Sequence, residues 1–426
     1  MHRKPNIIIF YTDDQGTMDA NCYGAKDLHT PAIDSLAERG VRFTRAYAHT
    51  VCCPSRSALL TGRYPQRSGV NEWTDNHPRI GNKICMRLDE PTIARELKKV
   101  GYKTALFGKW HLGADLNHCP TEFGFDEFFG HRGGFIDNYR HQFLHCRPSG
   151  PPFHDLWRDK EEVFEDGSYF PDLVVREVSR FLDVHDARDP FFLYLPFNLP
   201  HYPYQPDERF IDIYKDLPYP RSVYAPMVTT VDDRIGQVLA MLDDKGLREN
   251  TLIIYMGDNG HSTESYNNWG VEYGAHGGGG YTGEWTGHKS TFYEGGIRVP
   301  AIISLPGVIP EGETRDQTIV NMDYFLTILE LLGLEMPAKS LDGKSLRPLL
   351  DNADEESPHG ILNFQWQQSW CVIDDDWKLI CNREGRQELV CLSDDKPELL
   401  DHIRAEPERL EYLTEQHRTW AKDVFG

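Results

Sequence analysis

The chain has 426 residues, of which 39% are hydrophobic and 26% charged, a composition typical of a globular protein rather than a disordered one. Its formal net charge of −21 argues against a nucleic-acid-binding protein, because such proteins present clustered Lys and Arg to the phosphate backbone. An anionic substrate would therefore need a local basic pocket within an acidic surface.

No apolar run approaches the roughly 18 residues of a membrane helix, and the first residues lead into a strand pattern rather than a signal peptide. The nine cysteines include no C-x-x-C pair and form no disulfide-dense scaffold. We expect no membrane partner. The location is expected to be cytoplasmic for the chain as it stands, and periplasmic or secreted if a leader has been removed.

Helix and strand patterns alternate along most of the chain. The apolar run at 6–11 predicts a buried parallel strand, and Thr30-Pro31 begins a helix pattern that leads into a strand at 41–47. Further helix-then-strand units follow at 91–107, 173–195 and 228–256. This alternation predicts an α/β fold with a large mixed, mostly parallel sheet sandwiched by helices.

The pattern changes beyond about residue 360. Short strand patterns follow one another at 371–374, 377–381 and 388–392, before a final helix pattern at 407–424. We expect an α/β domain over residues 1–355 and a small C-terminal α+β subdomain, an antiparallel sheet plus a helix, over residues 356–426. The glycine-rich stretch at 266–286 is expected to be a long loop, because strand-like sequence resumes after it.

Oxygen-bearing side chains follow two of the predicted buried strands, as the pairs Asp13-Asp14 and Asp258-Asn259. Ligands of open α/β sheets bind at such carboxyl ends. Three carboxylates and an amide form an all-oxygen ligand set, which suits Ca²⁺ or Mg²⁺ and not Zn²⁺. Either pair alone is more typical of a turn or helix cap, but their shared position favours a metal site.

A second candidate site is the run Cys52-Cys53-Pro54-Ser55-Arg56. Pro54 and Ser55 are typical of a first helical turn, so Cys52 is expected just before a helix N-terminus, where free N–H groups favour an anion. A cysteine in that position is expected to have a lowered pKa and could simply be a thiolate nucleophile. The residues alone therefore predict a reactive Cys52 beside Arg56.

The run from Cys52 to Arg63 resembles the sulfatase signature C-x-P-S-R-x-x-x-L-T-G-R at every fixed position. Other segments resemble blocks of the same family in the same order: 5–16, 30–47, 108–113, 199–201, 257–260, 288–300, 341–346 and 375–379. On this resemblance the chain is identified as a member of the type I, formylglycine-dependent sulfatases of the alkaline phosphatase superfamily.

The resemblance implies that a formylglycine-generating enzyme oxidises Cys52 to formylglycine and that the protein binds Ca²⁺, with Mg²⁺ the less favoured ion. The implied metal ligands are Asp13, Asp14, Asp258, Asn259 and the modified Cys52. The immediate neighbour Cys53 leaves open a misdirected oxidation or an interaction with Cys52.

The resemblance also implies catalytic roles. Arg56 and Lys109 would hold the modified residue, while His201 and Lys289 would contact the sulfate and the leaving oxygen. One hydroxyl of the hydrated aldehyde would attack sulfur, and His201 with Lys289 would protonate the departing alcohol. His111 would then take a proton from the second hydroxyl, so that sulfate leaves by C–O cleavage. Without the family frame, the histidines would be structural and the lysines solvated.

The expected reaction is hydrolysis of a sulfate monoester on a small molecule or oligosaccharide, with a sulfated carbohydrate preferred. Substrate preference is expected to lie in the loop at 266–286 and in residues 131–141. Trp73 and Trp269 are weaker candidates for sugar stacking, since packing is the commoner role of such residues. The candidate substrate-binding residues are His131, Arg132, Asn138, Arg140, His261 and Trp285.

Two alternative functions stay open on the sequence. The nearer one is a phosphonate or phosphate ester hydrolase of the same superfamily that shares the oxidised cysteine. The more distant one is a non-enzymatic carbohydrate-binding protein, in which substitution of Cys52 would leave function untouched. The sequence leaves the oligomeric state open.

Overall fold

The computed structural model of the chain describes residues 3–74, 76–77, 84–143, 152–186, 188–268, 271–276 and 278–426. For residues 265–268 and 271–276 only the backbone is described. No helix in these ranges is long and apolar enough to cross a membrane.

The strands in chain order are β1 (Asn6–Asp13), β2 (Val41–Phe43), β3 (Ala46–Tyr47), β4 (Lys103–Lys109), β5 (Glu127–His131), β6 (Gln142–Phe143), β7 (Phe153–His154), β8 (Trp157–Arg158), β9 (Glu161–Glu162), β10 (Phe191–Pro200), β11 (Thr251–Gly257), β12 (Ser265–Asn268), β13 (Val271–His276), β14 (Ala301–Ser304), β15 (Glu313–Arg315), β16 (Ile319–Val320), β17 (Ile361–Trp366), β18 (Ser369–Asp374), β19 (Trp377–Cys381) and β20 (Gln387–Cys391).

The α-helices are α1 (Pro31–Glu38), α2 (Cys52–Thr61), α3 (Ile93–Lys99), α4 (Phe170–Val184), α5 (Glu208–Ile211), α6 (Arg221–Asp244), α7 (Glu294–Ile297), α8 (Asp323–Leu331), α9 (Arg347–Asp351) and α10 (Pro407–Phe425).

A ten-stranded sheet forms the centre of the molecule, in the order β15-β2-β14-β11-β1-β10-β4-β5-β8-β9. The five central strands, from β11 to β5, are parallel to one another. On either side, β14 and β8 pair antiparallel with the inner strands. The prediction of a mixed, mostly parallel sheet is therefore confirmed.

Helices cover both faces of this sheet, as predicted. All eight residues of β1 are buried, because alternate side chains enter different cores. Ile7 and Ile9 pack in a core with residues of α2, α3 and α8. Ile8 and Phe10 pack in the opposite core with residues of α1, α4 and α6. A continuous apolar run is therefore required in β1, and the sequence supplies one.

A smaller antiparallel sheet, β17-β18-β19-β20, follows in the C-terminal part. Leu413 of α10 packs on it in a core with Val372, Leu379 and Leu389. This confirms the predicted small antiparallel sheet with a helix. The boundary between residues 355 and 356 stays a prediction. The stretch predicted as a loop at 266–286 differs, because β12 and β13 pair there as an antiparallel hairpin.

A buried ion cluster joins the small sheet to the large part of the fold. Lys378 of β19 is fully buried, and its Nζ donates to Glu294 Oε1 of α7 at 2.7 Å and to Glu398 Oε1 at 3.1 Å. The backbone N–H of Glu294 also donates to the Glu398 carboxylate at 2.9 Å. Arg298 NH1 also donates to Glu294 Oε2 at 3.0 Å, so two cations and two carboxylates meet in the cluster, and removal of one charge leaves a buried partner uncompensated.

Substitution of Lys378 by Met is expected to lower the free energy of unfolding by about 3–5 kcal/mol, because the buried Glu294 and Glu398 carboxylates lose the cation that they share. Urea denaturation measures this change. The matched control is Lys396→Met at an exposed position, expected to change the free energy of unfolding by less than about 0.5 kcal/mol. Equal stability of the two variants would contradict a role for the cluster in stability.

Candidate functional site

The parallel strands deliver polar side chains to one edge of the large sheet. Asp13 and Lys109 are the last residues of β1 and β4. His201 follows β10, and Asp258 and Asn259 follow β11. Since carboxyl ends of parallel strands share an edge, residues distant in sequence meet there.

Helix α2 places Cys52 at this edge. The helix begins at Cys52 itself, two residues before Pro54, with Val51 as its N-cap residue. Cys52 is fully buried, and its Sγ donates to Asp13 Oδ1 at 3.3 Å. The sequence therefore located the helix start within two residues, and the helix directs Cys52 at the end of β1.

Three buried cations face the three carboxylates. Lys109 Nζ donates to Asp13 Oδ2 at 2.6 Å. Arg56 donates to Asp258 Oδ2 from NH2 at 2.7 Å and from Nε at 3.2 Å. Lys289, in the segment between β13 and α7, donates from Nζ to Asp14 Oδ2 at 3.0 Å. The six formal charges of these residues cancel.

Burial and the neighbouring charges give the three carboxylates different pKa values. Burial would raise the pKa of Asp13, but Lys109 and the other nearby cations hold it well below its usual value. Burial raises the pKa of Asp14 to about 6, against the lowering effect of Lys289. Burial, followed by the charge of Asp13, raises the pKa of Asp258 to about 7. A bound cation would relieve the cost of ionising the last two groups.

The carboxylate and amide oxygens at this position, rather than the nearby Cys52 sulfur and His201 nitrogen, fit a hard cation. Ligand atoms of Asp13, Asp14, Cys52 and His201 all lie within 4.8 Å of one another. Oδ1 of Asn259 is buried and has no hydrogen-bond partner among the described residues, while its Nδ2 donates to Asp14 Oδ1 at 2.7 Å. An amide oxygen beside carboxylates is a typical ligand of Ca²⁺ or Mg²⁺.

A cavity of about 270 Å³ opens above Cys52. It is lined by Cys52, Trp73, Asn76, His111, Gly134, Phe135, Phe143, His201, Tyr202, Glu264 and Lys289. Four of the six predicted catalytic residues thus line one cavity. The other two, Arg56 and Lys109, are fully buried and bind the carboxylates instead.

The surroundings of His111 favour a neutral imidazole. Burial, with the charges of Lys109 and Arg56, lowers its pKa well below the usual value. Its ring stacks on Trp73 at 6.0 Å between centroids, and its Nε2 lies 3.6 Å from Cys53 Sγ. Its buried Nδ1 has no hydrogen-bond partner among the described residues. His111 can therefore accept a proton in the cavity.

Cys53 is held by His111 and by the backbone N–H of Thr74, which donates to its Sγ at 3.4 Å. Burial raises its pKa. Cys53 is thus a packed neighbour of His111, whereas Cys52 contacts Asp13.

A hydrogen bond to the next residue in the sequence orients the ring of His201. Its Nδ1 donates to the carbonyl oxygen of Tyr202 at 2.6 Å, and its Nε2 lies 3.5 Å from Asp14 Oδ2. Phe135 stacks on the ring at 5.4 Å. Burial, followed by the charge of Lys289, lowers the pKa of His201 to about 3. Burial would lower the pKa of Lys289, but Asp14 raises it well above its usual value, so Lys289 holds a proton.

The expected lowering of the Cys52 pKa is not what the structure shows. Burial, followed by the negative charge of Asp13, raises that pKa well above its usual value. Lys109 and Lys289 act to lower the pKa, but by less than burial and Asp13 raise it. An unmodified Cys52 is therefore a neutral thiol, and a simple thiolate nucleophile is the wrong expectation for this site.

Three of the candidate substrate-binding residues are engaged within the fold. His131 ends β5, is fully buried and donates from Nδ1 to the Gly133 carbonyl oxygen at 3.0 Å. Arg132 lies 4.0 Å over the Trp157 ring and donates to the carbonyl oxygen of Asp159. Asn138 is fully buried and accepts a hydrogen bond from Asn198 at 2.8 Å. None of the three lines the cavity above Cys52.

The remaining candidates lie around the site. Arg140 is exposed, and Trp285 is covered by Arg298 at 4.2 Å, beside a separate cavity of about 430 Å³. His261 contributes through its backbone, since its carbonyl oxygen accepts from the N–H of Lys289 at 3.0 Å. Trp269 lies outside the described residues.

Sequence reasoning missed six residues that line the cavity: Asn76, Gly134, Phe135, Phe143, Tyr202 and Glu264. Tyr202 is the direct neighbour of His201, and Phe135 follows the pair Gly133-Gly134 inside the stretch assigned to substrate preference. A Cβ at Gly134 would lie 2.9 Å from His111 Cε1, so glycine there admits the histidine ring. Adjacency to His201 and to the Gly133-Gly134 pair is therefore the sequence signal that could have identified Tyr202 and Phe135.

Comparison with protein families gives two matches. The model of the family Sulfatase matches residues 5–334. The model described as N-sulphoglucosamine sulphohydrolase, C-terminal, matches residues 283–419 and so spans the junction with the small sheet.

Known proteins agree with the family match. Arylsulfatase J of Mus musculus is 32% identical over 333 residues, covering 77% of this chain and 52% of the mouse protein. N-acetylgalactosamine-6-sulfatase of Sus scrofa is 33% identical over 364 residues, covering 82% and 66%. The chain thus spans about half to two thirds of the length of these two curated relatives. The crystal structure of Ps i-CgsB in complex with k-i-k-neocarrahexaose has a TM-score of 0.86 and 29% identity, covering 99% of this chain and 94% of that one.

Calcium is expected to stabilise the protein, by about 2.7 kcal/mol at a free concentration 100 times the dissociation constant. Substitution Asp14→Asn removes a ligand charge and is expected to abolish most of this gain. Thermal unfolding with and without Ca²⁺ measures it. The exposed Asp89→Asn is the matched control and should respond like the unsubstituted protein. A calcium response that persists in Asp14→Asn would contradict the site.

Proposed function

The chain belongs to the sulfatase family, and on that premise we propose that it hydrolyses sulfate monoesters carried by a carbohydrate. The observation that carries the proposal is the cavity in which Cys52, His111, His201 and Lys289 converge above a charge-balanced cluster. A sulfate ester is an anion whose leaving oxygen gains charge as the S–O bond breaks. Cations and a proton donor must therefore meet at one point.

We assign the metal to Asp13, Asp14, Asp258, Asn259 and position 52, with Ca²⁺ preferred over Mg²⁺. Bound there, the ion would supply positive charge against the sulfate oxygens. The three carboxylates and three cations of the site cancel without it, and Glu264 adds one negative charge 3.6 Å from Lys289, so a divalent ion leaves the site with a net positive charge. This supports an anionic substrate in a protein whose formal charge is −21.

We further propose that Cys52 is converted to formylglycine by a formylglycine-generating enzyme. Its hydrate would supply two hydroxyls, one to attack sulfur and one whose deprotonation releases sulfate. The raised pKa of the unmodified thiol supports this, because the cysteine itself is a poor nucleophile in its burial.

Two buried cations neutralise the carboxylates that lie below the cavity. Lys109 and Arg56 neutralise Asp13 and Asp258 beneath position 52. Arg56 also donates from NH1 to the carbonyl oxygen of Lys109 at 3.2 Å, which ties α2 to the end of β4. Both residues therefore keep position 52 and the carboxylates in register with the strand ends.

The proton-transfer groups lie in the wall of the cavity. His111 is neutral and takes the proton of a hydroxyl at position 52. Lys289 carries a proton and His201 lies within 3.5 Å of the same Asp14 carboxylate that Lys289 binds. These two residues protonate the departing alcohol, because the negative charge of a bound sulfate favours protonation of the imidazole.

A carbohydrate leaving group is supported by the rest of the wall. Phe135, Phe143 and Tyr202 offer ring surfaces, and Asn76 and Glu264 offer hydrogen-bonding groups to hydroxyls. Among the similar proteins are an N-acetylgalactosamine-6-sulfatase and a structure that holds k-i-k-neocarrahexaose. We therefore place the substrate among sulfated sugars and oligosaccharides.

The test compares kcat/KM for matched aryl sulfate, aryl phosphate and aryl phosphonate esters and for a sulfated oligosaccharide, with protein produced alongside a formylglycine-generating enzyme. We expect sulfates to be preferred. Cys52→Ala is expected to lower kcat on the order of 10⁶-fold, as removal of the nucleophile does in a serine protease. Cys22→Ala, at a cysteine remote from the cavity, is the matched control.

Faster turnover of the phosphate or phosphonate ester would contradict the proposal in favour of the related hydrolases. Unchanged function in Cys52→Ala would instead indicate a carbohydrate-binding protein.

A further inference from the structure

Two histidines flank a short hairpin that forms part of the cavity wall. Strands β6 and β7 pair antiparallel, with Gln142 opposite His154 and Phe143 opposite Phe153. His141 directly precedes β6, and its ring centroid lies 6.2 Å from that of His154 at an interplanar angle of 88°. Two imidazoles therefore approach each other edge-on, outside the cluster around Cys52.

Each ring has one nitrogen engaged by a protein acceptor. His141 Nε2 donates to the Ser168 carbonyl oxygen at 3.0 Å. His154 Nδ1 donates to Glu162 Oε1 at 3.1 Å. A carbonyl or carboxylate oxygen only accepts, so these bonds place the ring protons on the named nitrogens. His141 Nδ1 and His154 Nε2 are left with lone pairs.

Those two remaining nitrogens are buried and have no hydrogen-bond partner within the described part of the chain. His141 is fully buried. One unpaired imidazole nitrogen is common in this protein, as His111 and His131 illustrate. Here two unpaired imidazole nitrogens lie beside a carboxylate. Burying unpaired acceptors costs free energy, and a cation bound by both nitrogens would recover it.

The carboxylate is that of Asp166. One ligand atom from each of His141, His154 and Asp166 lies within 4.8 Å of the others. Asp166 is exposed, so its side chain is free to adjust. The set thus consists of two imidazoles and one carboxylate.

We propose that His141, His154 and Asp166 bind Zn²⁺ at a second metal site. Two imidazoles and a carboxylate suit Zn²⁺, whereas the oxygen ligands around Asp13 suit Ca²⁺. The Glu162 carboxylate that receives the His154 N–H has the position of an outer partner that fixes the tautomer of a zinc ligand. A water molecule completes the tetrahedron.

The geometry requires a modest closure. Ligand atoms around Zn²⁺, with bonds of about 2.0–2.1 Å, lie roughly 3.3 Å apart. The three groups must therefore close by at most about 1.5 Å, which rotation of the exposed Asp166 side chain and a small shift of the hairpin provide.

The site would brace the wall of the cavity. Phe143 lines the cavity and stacks on Phe153 at 5.2 Å, and both belong to the hairpin that His141 and His154 flank. Asp166 lies in the segment that leads into α4. Zinc would therefore fasten the hairpin to the start of that helix and fix the ring of Phe143 beside the substrate.

The experiment measures zinc binding by the full chain after chelator treatment, with Ca²⁺ in excess, by calorimetry and by metal analysis after dialysis. Cys52 also offers a zinc ligand, so the measurements use the Cys52→Ala background. We expect one equivalent of Zn²⁺ at micromolar affinity or tighter. Asp166→Asn and His154→Gln should abolish this binding, and Glu162→Gln should weaken it about 10- to 100-fold.

His29→Ala, at an exposed histidine, is the matched control and should bind like the background protein. If His154→Gln does not fold, the surface substitution Asp166→Asn decides. Absence of saturable zinc binding in the background protein, or equal binding in Asp166→Asn, would overturn the proposal. Because the readout is metal stoichiometry, the result does not depend on sulfatase activity.

Discussion

Mutual neutralisation of three buried carboxylates and three buried cations is the constraint on which the site depends. Asp13, Asp14 and Asp258 are all within 1% of complete burial. Ionised carboxylates are tolerated there only because Arg56, Lys109 and Lys289 contact them. The formal charges of these six residues cancel, and Glu264 in the cavity wall adds a negative charge 3.6 Å from Lys289, so the proposed divalent ion is what would make the cavity attractive to an anion. An acidic protein can thereby bind a sulfate ester.

The fold makes this neutralisation possible by bringing distant segments to one edge. β1 lies at the centre of the sheet, between β10 and β11, so the carboxylates at its end face groups delivered by both neighbours. Lys109 arrives from β4, and Arg56 lies one helical turn after Cys52 on α2. The sheet therefore fixes the charge arrangement, and the loops contribute Lys289 and the cavity wall. Substrate preference can vary in that wall without disturbing the charges beneath it.

The sequence predicted the parts of this structure that follow from local pattern. The apolar run of β1 indicated a buried strand, and Pro54 with Ser55 indicated a helix that starts just after Cys52. Patterns of this kind predict which face of a helix or strand a residue occupies. They do not predict which residues of other segments it will contact. The lowered pKa expected for Cys52 was therefore wrong, because the burial and the charge of Asp13 that raise it come from tertiary packing. Arg132 and Asn138 likewise contact Trp157 and Asn198, and no spacing in the sequence predicts these contacts.

The central claim is that position 52 is no ordinary cysteine in the mature protein. Mass spectrometry of the tryptic peptide from Ala46 to Arg56, taken from the native host, tests it most directly. We expect fragment ions with formylglycine at position 52 and an intact thiol at the adjacent Cys53. Fragment ions that show an unmodified thiol at Cys52, or the modification at Cys53 instead, would contradict it.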